Sequence, residues 1–167
     1  METGRRLAKM YILELMSGRY NPIPKATAFP NDSTTAYKGL LTVRSEIVSM
    51  CSHHHQPVKG VAYIGIIAGD TLIGLSKYTR IAQWCAKRGT LQEELAMDIC
   101  REIMKATNSE NVGVYVQATH GCVEHRGIEA HSSLTQTTVL EGAFADDPAT
   151  KKEFMDNIKL QQQYAPK

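Results

Sequence analysis

Five consecutive residues, Cys51-Ser52-His53-His54-His55, gather one thiol, one hydroxyl and three imidazoles just ahead of Pro57. Cys51 and His54 stand three apart, a spacing from which a soft sulfur and an imidazole can reach one ion out of a turn. Two protein ligands rarely hold zinc, so the chemistry asks for a third. Cys122 is the best candidate, because with His120 it ends a run of alternating apolar residues. Two sulfurs and one nitrogen leave the fourth tetrahedral position open, the pattern of catalytic rather than structural zinc. A blander reading competes: histidine clusters decorate surfaces, and thiols are common core residues.

Two further groups carry chemistry. Ser76, Lys77 and Arg80 fall at the start of a helical pattern, with Ser76 suited to cap it. Cations in a first turn oppose the helix dipole, and a bound polyanion would remove that conflict. The alternative is that both long side chains simply point to water. Thr90-Leu91-Gln92-Glu93 fits a capping box, in which Glu93 bonds back to the cap residue's N–H. On pattern alone that structural role outweighs a ligand contact.

The elements that position these groups are legible as periodicities. Residues 5–16 read as a helix, with Arg6 and Lys9 on one polar face and Gly18 closing it. A proline-rich loop over 21–35 follows. Strands are expected over 37–49 and 58–68, with Gly69-Asp70 as a hairpin-like break. Helices follow over 75–88 and 90–106. Val112, Val114, Val116 and Ala118 alternate with Gly113, Tyr115, Gln117 and Thr119 in the cleanest strand of the chain. His120 and Cys122 share the valines' parity, so both emerge on the core-facing side. Residues 132–144 read as the last strand, and 149–162 as a closing helix with Phe154, Ile158 and Leu160 partly buried.

Composition bounds the rest. At 167 residues, 43% apolar and 22% charged, the sequence reads as one domain with a proper core. Its parts are an N-terminal helix and loop (1–36), a catalytic sheet and helix pair (37–145), and a C-terminal helix and tail (146–167). A net charge of +2 argues against nucleic acid or an anionic membrane as an obligatory partner. The first residues lack the apolar core of a signal peptide, and no apolar run approaches membrane-spanning length. Cytoplasmic, reduced thiols are therefore expected, with Cys85 and Cys100 as packing residues.

Taken in order, Ser-Met-Cys-Ser-His-His (49–54), Ile-Gly-Leu-Ser-Lys-Tyr-Thr-Arg-Ile (73–81), Leu-Gln-Glu (91–93) and Thr-His-Gly-Cys-Val-Glu-His-Arg-Gly-Ile (119–128) resemble GTP cyclohydrolase I. The match runs from about residue 5 to about residue 154. The resemblance implies an α+β tunnelling fold, an antiparallel sheet with helices packed on one face. Subunits of this fold join edge to edge into a β-barrel, as a homodecamer of two pentamers with active sites at subunit contacts. It makes Cys51, His54 and Cys122 ligands of Zn2+, and His53 and His120 the acid–base histidines. Ser76, Lys77, Arg80 and Arg126, with Arg6, would hold the triphosphate. Gln92 and Glu93 would grip the guanine, which reverses the capping-box preference for Glu93. The implied reaction opens the imidazole ring of GTP, releases formate and yields 7,8-dihydroneopterin triphosphate for pterin biosynthesis.

The sequence departs from the family at several points. Ser52 stands where a glutamate is usual, Gly89 replaces a proline, and Glu124 and His125 add charge before Arg126. The sequence also begins without the helical N-terminal extension of many members. Two other functions stay open: a relative acting on a different or modified purine nucleotide, and a non-catalytic nucleotide-binding oligomer. Nitrile reductases of the same fold need a reactive cysteine outside any metal site, and neither Cys85 nor Cys100 has a fitting context.

Overall fold

Strict alternation in two long segments decides the architecture, because successive side chains of a strand face opposite ways. The computed structural model describes residues 2–32 and 36–164. In chain order come helix α1 (Thr3–Lys9) and strands β1 (Ala28–Pro30), β2 (Leu40–Met50), β3 (Pro57–Ile67) and β4 (Thr71–Ile73). The helix pair α2 (Leu75–Ala86) and α3 (Gln92–Thr107) follows, then strand β5 (Val112–His120) and the single turn α4 (Gly121–Glu124). Strand β6 (Thr135–Leu140), the short α5 (Ala143–Asp146) and helix α6 (Pro148–Tyr164) complete it.

The main sheet has the order β2-β3-β5-β6 and is antiparallel throughout. One face carries Ala62, Ile64 and Ile66 of β3 and the valines of β5, all buried. Against it pack Tyr78, Ile81 and Cys85 of α2 and Leu95, Ile99 and Ile103 of α3, residues that recur at helical spacing. Each such buried branched or aromatic side chain contributes on the order of 2 kcal/mol. The helix pair thus covers one face of an α+β sheet, as expected. The opposite face is covered in part by α5 and α6, where Phe144 and Phe154 meet edge to face at 5.2 Å over Tyr63 and Tyr115. Gly65 and Gly113 are direct register partners beneath them. A Cβ on either would come within 2.8 Å of a phenylalanine ring, so the glycine pair forms the slot for both rings.

Several expectations shift. The N-terminal helix widens into a π-helical stretch over Met10–Leu15, and Gly18 is buried against the main chain of Trp84 and Lys87. The loop over 21–35 contains β1, which pairs with β4; residues 33–35 lie outside the described residues. Gly69-Asp70 therefore makes no hairpin between adjacent strands, since β4 leaves the main sheet and Asn31 donates to the Asp70 carbonyl at 2.8 Å. The last strand is shorter than 132–144, and Phe144 belongs to α5. Leu160 is exposed on α6, whereas Phe154 and Ile158 are buried.

Candidate active site

Register places the chemistry at one end of the sheet. Met50 pairs with Pro57 and Val58 pairs with His120, so the turn after β2 and the end of β5 lie side by side. The turn is closed by two main-chain bonds, Cys51 N–H to the Gln56 carbonyl and His55 N–H to the Cys51 carbonyl, both 2.9 Å. His55 takes a left-handed φ of 52° to allow this. Tyr11 of the N-terminal segment lies against it, ring centroids 5.9 Å apart.

Cys51, His54 and Cys122 bring their ligand atoms within 4.8 Å of one another. Ligand atoms around a tetrahedral zinc, at bonds of roughly 2.0–2.3 Å, stand about 3.3–3.8 Å apart, so the donor set fits the metal and a small inward shift of side chains closes the spacing. Burial raises the Cys122 thiol above its ordinary value, and the Cys51 thiol beside it adds to that rise. The Arg126 guanidinium pulls the other way. A shared cation would relieve the repulsion that opposes ionising both sulfurs. His53 stands exposed beside His54, the two rings edge to face at 6.1 Å.

His120 is half-buried at the end of β5, and its Nε2 lies 2.7 Å from Oε1 of Gln92. Burial pushes its imidazole below the ordinary value, while the carboxylates of Glu93 and Glu124 act in the opposite sense. Glu93 is exposed in the first turn of α3. The capping contact belongs to its neighbour: the cap residue is Leu91, whose N–H donates to the Glu94 carboxylate at 3.3 Å. The expected box was thus displaced by one residue, and Glu93 is released from it.

The remaining cations are not gathered in the same place. Gly74, not Ser76, is the cap residue of α2, which puts Ser76 and Lys77 inside the first turn and Arg80 in the next. Ser45 meets Thr79 at 2.9 Å and Ser49 donates to the Ala86 carbonyl at 2.7 Å, so α2 runs alongside β2 toward the thiol end. Lys77 precedes Ala86 by nine residues, about 13 Å of helix axis. Ser76, Lys77 and Arg80 therefore sit away from the thiol end, with Arg80 next to Thr79 beside the middle of β2. Arg126 lies at the thiol end, exposed in the loop after α4, and Arg6 is exposed on α1.

Comparison with known proteins decides the family. The family model described as GTP cyclohydrolase I matches residues 1–159. GTP cyclohydrolase 1 of Flavobacterium johnsoniae is 42% identical over 167 residues, covering 97% of this chain and 72% of that protein. The protein of the same name from Blochmanniella pennsylvanica is 39% identical over 160 residues, covering 95% of this chain and 72% of its own length.

The chain belongs to the GTP cyclohydrolase I family.

It is accordingly an enzyme of the hydrolase class with GTP cyclohydrolase activity. A solved structure, that of archaeosine synthase QueF-Like in the apo form, aligns with 62% of this chain and 93% of that chain at 16% identity and a TM-score of 0.47. Among the described residues no helix is long and apolar enough to cross a membrane.

Membership in the GTP cyclohydrolase I family gives the departures a local setting. Gly89 holds a φ of +63°, and a Cβ there would stand 2.7 Å from Cε of Met16. A proline, fixed near −65°, cannot take that conformation, so the substitution and the backbone agree. Ser52 sits half-buried in the ligand turn. Cys85 and Cys100 are buried, and burial pushes both thiols up to about 12, which makes them inert core residues. The sequence signal missed one relationship altogether, the bond between Gln92 and His120. Their separation of 28 positions hides it, since only the pairing of α3 with β5 brings them together.

Proposed function

We propose that this chain opens the imidazole ring of GTP, releases formate and rearranges the remainder to 7,8-dihydroneopterin triphosphate. One observation carries the reading: two thiols and an imidazole converge beside a half-buried second histidine at one end of the sheet. Cys51, His54 and Cys122 would hold Zn2+, which when bound would supply Lewis-acid activation of water near neutral pH. His120 donates a proton to N7 of the base while water adds at C8, so negative charge does not build up on that nitrogen. His53, on the exposed side, assists the later proton transfers and the opening of the ribose. Glu93 accepts the ring N–H and exocyclic amine of guanine, donors that a carboxylate is suited to pair.

Ser76, Lys77, Arg80 and Arg126 hold the triphosphate, with Arg6 as an addition, and a second copy completes the cleft. The separation of α2's cations from their own chain's thiols supports this, because one nucleotide must meet both. Edge strands β2 and β6 are the surfaces through which copies join into pentamers and then a cytoplasmic homodecamer. Mass spectrometry of the product after incubation with GTP tests the proposal. The mass of dihydroneopterin triphosphate supports it, and an intact nucleotide or an accumulated formamide contradicts it.

A further inference from the structure

Gln92 is 5% exposed, and all of its amide is engaged. The nitrogen donates toward the Val116 carbonyl at 3.3 Å, the Thr135 carbonyl at 3.2 Å and Thr137 Oγ1 at 2.9 Å. Two of those partners are main-chain carbonyls, which only accept. They fix which end of the amide faces strands β5 and β6, and so leave Oε1 toward His120 at 2.7 Å. An amide oxygen also only accepts, so Nε2 of His120 must carry the proton in this contact. The free nitrogen is Nδ1.

We propose that Gln92 is the positioning residue for His120: it pins the ring as the Nε2–H form and makes Nδ1 the nitrogen that exchanges protons with the substrate. This rests on the role of His120 proposed above. In the transfer, the Nδ1–H bond of the imidazolium breaks and the proton goes to N7. The lone pair stays on Nδ1, and the proton released from the water as its oxygen bonds to C8 returns to that nitrogen. The bond from Nε2–H to Gln92 persists throughout, so the ring neither rotates nor changes tautomer between turnovers. Gln92 is thereby taken away from guanine recognition, because both of its N–H groups are used by the sheet. Glu93 is left as the residue of the pair that contacts the base.

The test is a double-variant cycle on the zinc-loaded protein, reading kcat and KM for formate release. Gln92→Met nearly keeps the side chain's length and shape but replaces the amide oxygen with a weakly accepting thioether sulfur and removes both N–H donors. It is expected to lower kcat by about 10–100-fold with KM changed by less than about threefold and zinc retained. In the His120→Ala background the same substitution should change the residual rate by less than about twofold, because the group it positions is gone. A rise in KM at unchanged kcat, or losses that multiply in the double variant, overturns the assignment. Should Gln92→Met fail to fold, Thr137→Val removes one anchor of the amide from outside the site. It should lower kcat by a few-fold, again only when His120 is present, and an unchanged kcat counts against the proposal. A wild-type rate in His120→Ala alone removes the histidine's role itself, and with it this inference.

Discussion

The Glu94 carboxylate accepts the main-chain N–H of Leu91 at 3.3 Å, so the first turn of α3 is closed without Glu93. Glu94 thus holds the helix start, and Glu93 beside it is exposed and outside the capping contact. Glu94→Gln should lower the melting temperature slightly, by roughly 0.5–1 kcal/mol of stability, and leave turnover intact. Glu93→Gln should melt normally and lose most GTP turnover, because an amide presents a donor to guanine's donors. The reverse pattern in melting and activity would return Glu93 to the capping role.

Zinc content should follow the three-residue cluster. Cys122→Ala is expected to lose most bound zinc, since Cys51 and His54 alone make a poor site. Elemental analysis at one zinc per chain in that variant would remove Cys122 from the ligand set.

The triphosphate cleft should need two copies. Arg80→Ala should weaken GTP binding by about 1–3 kcal/mol, the range for charge-assisted contacts, and barely change guanosine binding. Arg80→Ala and His120→Ala chains, denatured and reassembled together, should regain activity that neither shows alone. Mixed assemblies as inactive as their parents would mean that one chain holds the whole site.

Alkaline pH should unfold the protein through its core thiols. Cys85 and Cys100 rise from 9.0 to about 12 in the fold, chiefly by burial, with Asp98 and Glu102 adding to Cys85 and Glu141 to Cys100. The folded thiols stay neutral where unfolded ones ionise, so their stabilisation is complete below pH 9 and is lost as pH rises toward 12. By pH 10 the loss is on the order of 1 kcal/mol per thiol. Urea midpoints at pH 8 and pH 10 measure it, and a midpoint that holds or rises contradicts it.

Sequence pattern reached the parts of this structure that depend on short-range periodicity. The valines at 112, 114 and 116 forecast β5, its buried face and the inward aim of His120, because parity along a strand is a local property. The spacing of Cys51 and His54 makes them a candidate ligand pair within one turn, and the structure brings Cys122 to them. What escaped depends on distant pairing. The three-residue β1 carries Pro30 and pairs with β4, about forty residues away in sequence. Ser76 is a good cap residue by type, but Gly74 already ends the extended chain two positions earlier. Thr90 is likewise a good cap residue by type, but the helix starts one position later, with Leu91 as the cap and Glu94 closing the turn. The contacts of the Gln92 amide with Val116, Thr135 and Thr137 likewise come from distant strands and are invisible in the sequence.

Formate released per GTP consumed, by zinc-loaded protein at neutral pH, tests the central claim most directly. The account expects one formate per GTP from the wild-type chain. His120→Ala should keep its zinc, bind GTP and release little. Wild-type protein carrying one zinc per chain that yields no formate from GTP would contradict the account, whatever nucleotide it binds.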